Sequence, residues 1–240
     1  MTSFPTLSLE PSSTVDRVAE ELRRALFDGE VTPGTPLREV ALAESMGVAR
    51  STIREALGIL VAEGVATRAP NRGVRVTELD PQAVHDVCTA RAVLETAGVR
   101  RWASAPEADR EACRAALRDF AVVARDAVTD GAGPPRRPGS AADLTAAHLN
   151  LHLAFVALTG SARLVTLAES LSAEIRLALA RVDRIRRNAG DQVHAHQDLL
   201  DLLDRGEVDR AVAELEGHLE GAERSMLIAL DLPRPVRLDR

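Results

Sequence analysis

Four of the six histidines in this chain are spaced in a way that could do chemistry. His148 and His152 stand four residues apart, so on a helix they share one face. His196 and His218 fall on two successive helical stretches joined at Gly206, and antiparallel helices can bring such positions level across a bundle. Imidazole is a common ligand for divalent cations, so the four together could hold a metal ion. Taken singly, each is better read as an ordinary hydrogen-bonded core histidine. His194 lies two residues from His196 and points elsewhere, and His85 has no partner by spacing.

A second cluster lies far upstream, in Gly47-Val48-Ala49-Arg50-Ser51-Thr52-Ile53-Arg54-Glu55-Ala56-Leu57. Ile53, Leu57, Leu60 and Val61 recur at helical spacing and should face inward. That leaves Arg50, Ser51, Thr52 and Arg54 at the outward N-terminal end. Arginine can take a guanine edge bidentately or clamp a phosphate, and short hydroxyls fit close to a nucleic-acid backbone.

The elements that must position these residues can be read from periodicity. Residues 1–11 are expected to be a mobile tail. A helix with Val15, Val18, Leu22 and Leu26 on one face runs from Ser12 or Ser13 to Asp28-Gly29. Thr32-Pro33-Gly34-Thr35-Pro36 then makes a rigid connection. Leu37, Val40, Leu42, Ala43 and Met46 mark a short helix that stops at Gly47, a residue suited to a left-handed helix end. With the arginine-bearing helix after it, this is the layout of a helix-turn-helix. Val65–Thr67 and Val74–Val76 flank a turn containing Asn71 and Gly73, which predicts a β-hairpin and so a winged helix.

Asp80-Pro81 reads as an N-cap followed by a first-turn proline. Beyond it only helical periodicity appears, with helices expected near 81–103, 106–127, 143–159, 161–188, 191–205 and 207–230. Ser161 and Asp191 are plausible N-caps, and residues 129–142, rich in Gly and Pro, are expected to form a flexible loop. The fold class expected is therefore mostly α. An N-terminal winged helix-turn-helix over 12–78 carries a small β-hairpin wing, and an all-α antiparallel bundle of about six helices follows over 79–232.

Composition sets bounds on function. Apolar residues make up 45% of the 240 but aromatics only 2%, so the core must be built from Leu, Ala, Val and Ile. A net charge of −6 argues against a chain that coats nucleic acid everywhere. Residues 49–77, however, hold five arginines against Glu55 and Glu63, and a sequence reader needs only such a local patch. Cys88 and Cys113 lack CxxC spacing, which speaks against a disulfide framework. No apolar run approaches the roughly 18 residues of a membrane span and no signal pattern opens the chain, so a soluble cytoplasmic protein is expected.

The stretches LRRALFDGEVTPGTPL, GVARSTIREALGILVAEGV and NRGVRV resemble the GntR family of bacterial transcription regulators. RAVLE at 91–95, HLAFVALTGSARL at 152–164 and HQDLLDLLDRGEVDRAVAELEGHL at 196–219 narrow the likeness to the FadR-type branch with an FCD effector domain. The resemblance implies that Arg50, Ser51, Thr52 and Arg54 sit at the DNA, with Arg72 and Gly73 at the wing. Many relatives carry an arginine ten positions before Arg50, where this chain has Val40; Arg38 could substitute from the preceding turn.

The family's FCD metal site uses an Asp four residues before a His, plus two later histidines. His152, His196 and His218 match the histidines, and His148 stands where the Asp would be. Asp143 is half a turn away and does not rescue the carboxylate. Four imidazoles would leave the ion its full double charge, attract an anion, and shift preference toward zinc or nickel and away from manganese. Arg91, four residues before Glu95, makes a simple salt bridge or, as the resemblance suggests, reaches the effector cavity to fork a carboxylate.

Together these readings predict a homodimeric, ligand-responsive repressor of double-stranded operator DNA, with a small organic acid bound at a divalent metal. Two alternatives stand beside it. One is a regulator without metal that holds an apolar or acyl ligand. The other is a multi-histidine metalloenzyme, for which no carboxylate base stands beside the histidine pairs. No membrane partner is expected.

Overall fold

The structure, a computed structural model, describes residues 13–69, 73–128, 140–186 and 188–232. The expected tail at 1–11, the wing-tip residue Arg72 and positions 129–139 of the expected loop lie outside the described residues.

Helix α1 (Thr14–Phe27) opens with a capping box: the Ser13 hydroxyl accepts from Asp16 N–H while the Asp16 carboxylate accepts from Ser13 N–H. Its apolar stripe of Val18, Ala19, Leu22 and Leu26 is buried. Strand β1 (Pro36–Leu37) leads into α2 (Glu39–Met46), which ends at Gly47 with φ 64°, the left-handed turn expected there. Helix α3 (Arg50–Ala62) follows, with Ile53, Ala56, Leu57 and Leu60 buried against α1 and α2.

Strands β2 (Ala66–Ala69) and β3 (Gly73–Val76) form the hairpin, displaced a residue from where alternation put its first strand. The sheet has three strands, in the order β1-β3-β2, rather than two. The Thr32–Pro36 connection pairs with β3 through Gly34 N–H to Val76 O and Val76 N–H to Thr35 O. A strand two residues long carries no alternation to read. Val40, counted among the apolar residues that mark α2, is half exposed at 48%.

Among the described residues, six α-helices build the second region: α4 (Pro81–Val99), α5 (Glu107–Val128), α6 (Ser140–Ala157), α7 (Ala162–Arg186), α8 (Ala189–Asp204) and α9 (Val208–Ala229). Asp80 caps α4 by accepting from Ala83 N–H at 2.8 Å. The helix expected over 81–103 breaks after Val99, and a 3-10 turn at Trp102–Ser104 tucks Trp102 into the bundle core. Helix α6 starts at Ser140, inside the stretch expected to be loop. Asn188 stands at the N-cap position of α8 without a side-chain capping bond, and Asp191 lies in the first turn instead of at the cap. Among the described residues no helix is long and apolar enough to cross a membrane.

Helix α7 belongs to two cores. Leu177 and Ala180 pack with the helix-turn-helix core of α1 and α3. Ile175, Ala178, Leu179 and Val182 pack with Val84, Val87, Leu149 and Met226 of the bundle. Gly98 lets α4 cross α6 closely, since a Cβ there would lie 1.9 Å from the Phe155 carbonyl oxygen. That crossing sets Glu95 of α4 beside His152 of α6.

Candidate metal centre and nucleic-acid interface

The outward end of α3 is arranged as its sequence suggested. Arg50, Ser51 and Arg54 are exposed, Thr52 is half-buried, and Arg38 lies exposed in the extended residue that precedes α2. Gly73 is exposed where β3 begins, opposite Ala69. One partnership was not legible beforehand. Glu39, the first residue of α2, accepts from Arg54 Nε at 3.0 Å and from its NH2 at 2.7 Å. Arg50 NH2 lies 3.9 Å from the same carboxylate. Arg54 thus lowers the Glu39 carboxyl from its usual range, with Arg50 adding to the effect.

In the bundle, α6 supplies His148 and His152, α8 supplies His196, and α9 supplies His218. Their ligand nitrogens all lie within 4.8 Å of one another, with three rings buried and that of His218 half-buried. His152 Nε2 is 3.2 Å from His148 Nε2 and 3.2 Å from His196 Nε2. Phe120 stacks on His148 at 4.8 Å between centroids and closes one side. His194 is exposed and outside the group, as expected. His85, read as partnerless, instead meets Glu223 of α9 at 3.0 Å.

The partners of the rings fix which nitrogen carries the proton. His152 Nδ1–H donates to the Glu95 carboxylate at 2.6 Å, and His196 Nδ1–H donates to the Gln192 carbonyl at 2.6 Å. The Gln192 carbonyl cannot donate, and the Glu95 carboxylate cannot while it is ionised, so in the neutral rings both Nε2 atoms then present bare lone pairs. Two lone pairs facing at 3.2 Å in a buried site repel one another, and a shared proton or a bound cation would relieve the contact. Burial holds all four imidazoles below their ordinary range, and for His148 and His218 the neighbouring rings add to this. Neutral imidazole is the form that binds metal. The donor set therefore fits a divalent ion, which His148, His152, His196 and His218 would hold.

Arg91 is buried and donates through Nε to Glu95 at 2.9 Å, so the simple salt bridge is what forms. It is more than that pair, because Glu95 also holds His152. Burial raises the Glu95 carboxyl and Arg91 opposes the rise. The result is a buried chain Arg91–Glu95–His152, the outer layer that commonly orients a metal-binding imidazole.

Comparison with known proteins gives this geometry a family. Residues 14–76 match the profile of the bacterial regulatory proteins of the gntR family, and residues 86–221 match the FCD domain. The Nta operon transcriptional regulator of Aminobacter aminovorans is 30% identical over 188 residues, covering 78% of this chain and 82% of that one. The chain belongs to the GntR family. It is a transcriptional regulator of GntR/FCD type and not an enzyme.

Other GntR relatives include the gluconate operon transcriptional repressor of Bacillus subtilis, 37% identical over 93 residues, which span 39% of this chain and 38% of that protein. Among solved structures, a GntR transcriptional regulator from Rhodococcus sp. RHA1 superposes with TM-score 0.66 at 29% identity, covering 91% of this chain and 99% of that one. Lar of Listeria monocytogenes shares the fold, with TM-score 0.64 at 16% identity, over 92% and 99% of the two chains. Glu39 and Glu95 are the residues of this GntR chain whose roles were missed. A charge pair at separation 15 or a contact at separation 57 leaves no periodic mark in a sequence.

Proposed function

We propose that this GntR regulator is a homodimeric cytoplasmic repressor. Residues 12–78 read a double-stranded operator, and residues 79–232 sense a signal at a divalent metal centre. Arg50, Thr52 and Arg54, aided by Ser51 and Arg38 and by Arg72 and Gly73 of the wing, contact the DNA. His148, His152, His196 and His218 hold the metal, whose role when bound is to organise the four imidazoles of α6, α8 and α9 about one charge. The observation that carries this reading is the convergence of four histidines from three helices, with Glu95 and Gln192 turning the Nε2 atoms of His152 and His196 toward one point.

The link between sensing and reading is α6 on α7, and α7 in the core of the reading head. A single head makes few contacts, so the relative placement of two heads governs operator occupancy. The test is a gel shift with duplex DNA from the regulator's own promoter, run with and without metal. Binding that depends on metal supports the reading; no binding at modest salt, or binding indifferent to metal and chelator, refutes it.

A second reading keeps the metal and adds a small organic acid as its ligand. The charge of the site favours it, since four neutral rings leave an ion's charge undiminished and Arg91 lies close by. Acid added to the metal-loaded regulator would then shift the gel-shift midpoint when metal alone does not.

A further inference from the structure

Glycine is a poor residue for the middle of a helix, yet Gly58 stands in the middle of α3. It falls four residues after Arg54 and eight after Arg50, so the three positions run along one outward face. The third place in that row has no side chain of its own. Strand β2 fills it: Arg68 NH2 lies 4.0 Å from where a Cβ on Gly58 would stand. Among the described residues nothing else from outside α3 comes within 4 Å of that point. We propose that Arg68 is a further DNA contact, a phosphate clamp carried by the wing and laid against the reading helix in line with Arg50 and Arg54. The proposal rests on the operator-reading role given above to α3 and adds a residue which that role did not include.

Strand pairing brings Arg68 to that place. Side chains alternate between the two faces of a sheet. Ala66 sits opposite Val76, and Arg68 opposite Val74. Both valines are buried with Ile53, Leu57 and Leu60 of α3. Arg68 therefore leaves the sheet on the side of α3, whereas Thr67 and Arg75, paired with each other, leave it on the other. Because β2 is an edge strand, Arg68 reaches past the core and stays exposed. Its charge is felt beside the other two: Arg54 and Arg50 lower the Glu39 carboxyl, and Arg68 adds to that lowering. Arg54 commits Nε and NH2 to Glu39. Arg68 makes no hydrogen bond or ion pair among the described residues, so its whole fork is open to an anion.

The end of the row decides for phosphate over a base. Residues at the N-terminal end of a recognition helix meet base edges. Gly58 lies eight residues beyond Arg50, about 12 Å along the helix axis. The major groove is itself about 12 Å wide. A guanidinium that far from the reading end stands at the rim of the groove, among phosphate oxygens. Contacts of that kind set register and orientation without reading sequence. Arg68 thus seats the wing and α3 on the duplex as one unit.

The test titrates the full chain against duplex DNA from the regulator's own promoter, and against a random duplex of equal length, over a salt series. Arg68→Gln should flatten the dependence of log affinity on log salt by about 0.9, the share of one phosphate. Near 0.1 M salt that is about an eightfold loss, equal for both duplexes. Arg68→Lys, which keeps the charge, should restore the parent slope. An unchanged slope in the Gln variant overturns the proposal while the operator-reading role stands, and so does a Lys variant as flat as Gln. A loss confined to the promoter duplex makes Arg68 a base reader and overturns the phosphate assignment. Arg68 is exposed, so both variants should melt with the parent; a lower melt at the parent slope marks a structural arginine and overturns it too. Should the parent bind neither duplex, the operator-reading role falls, and this contact with it.

Discussion

Glu39 grips Arg54 by both Nε and NH2, at 3.0 and 2.7 Å, across the turn that joins α2 to α3. A guanidinium held on that side keeps its remaining N–H groups for whatever approaches the end of α3. The carboxylate thereby fixes the plane of an otherwise swinging side chain and offsets a charge that would bind any phosphate.

Replacing Glu39 with Gln removes that control. Total DNA affinity should rise and the ratio of operator to random-DNA affinity should fall. The salt dependence should steepen by about one phosphate contact, a slope change near 0.9. Competition titrations over a salt series measure both quantities. An unchanged ratio would remove Glu39 from any role in discrimination.

Glu95 orients His152 from behind, so Glu95→Gln should weaken metal binding without touching a ligand. Loss of an outer-layer carboxylate of this kind commonly costs about 10–100-fold in affinity. Titration against a competing chelator gives the number. Retention of full affinity would show that the ring is held by packing alone.

Asp183 of α7 accepts from the Thr145 hydroxyl of α6 at 2.8 Å, and burial pushes its carboxyl up from 3.8 to about 6. A raised carboxyl binds its proton more tightly in the folded chain. Its contribution is fully present below 3.8 and is lost as pH rises through about 6. The difference is worth about 3 kcal/mol. Asp183→Asn, which keeps an acceptor for Thr145, should therefore be more stable than the parent at pH 7.5. Near pH 4 the two should converge. Thermal melts across that window check the sign, and a destabilised Asn variant at neutral pH would contradict it.

The close crossing of α4 and α6 predicts a contrast between two glycines. A Cβ at Gly98 would meet the Phe155 carbonyl at 1.9 Å, whereas one at Gly217 meets nothing within 4 Å. Gly98→Ala should cost on the order of 3 kcal/mol as the helices are forced apart. Gly217→Ala should be neutral or stabilising by up to about 1 kcal/mol. Denaturant melts of the two variants settle the comparison, and equal stability would argue that α6 yields easily.

Much of this was legible because it is periodic. The helix-turn-helix shows itself through Ile53, Leu57 and Leu60 on one face and Arg50 and Arg54 on the other, and Gly47 takes the left-handed turn it was expected to take. His148 and His152 share a face because they stand four residues apart. What stayed hidden depends on separations no local pattern reports: Glu95 to His152, Glu39 to Arg54, His85 to Glu223. The third strand was hidden for another reason. Pro36 and Leu37 are too few to alternate, and the pairing that makes them a strand is decided by β3.

Helix α7 bears on how such a chain could be recombined. Leu177 and Ala180 lie more than a hundred residues beyond the wing, yet they complete the core around Ile53 and Leu60. A chimaera cut at residue 78 and spliced to a foreign sensor would leave the reading head with an unsealed hydrophobic seam. The heritable module is therefore larger than the sequence boundary suggests, and a graft that succeeds must bring along a helix to serve as lid.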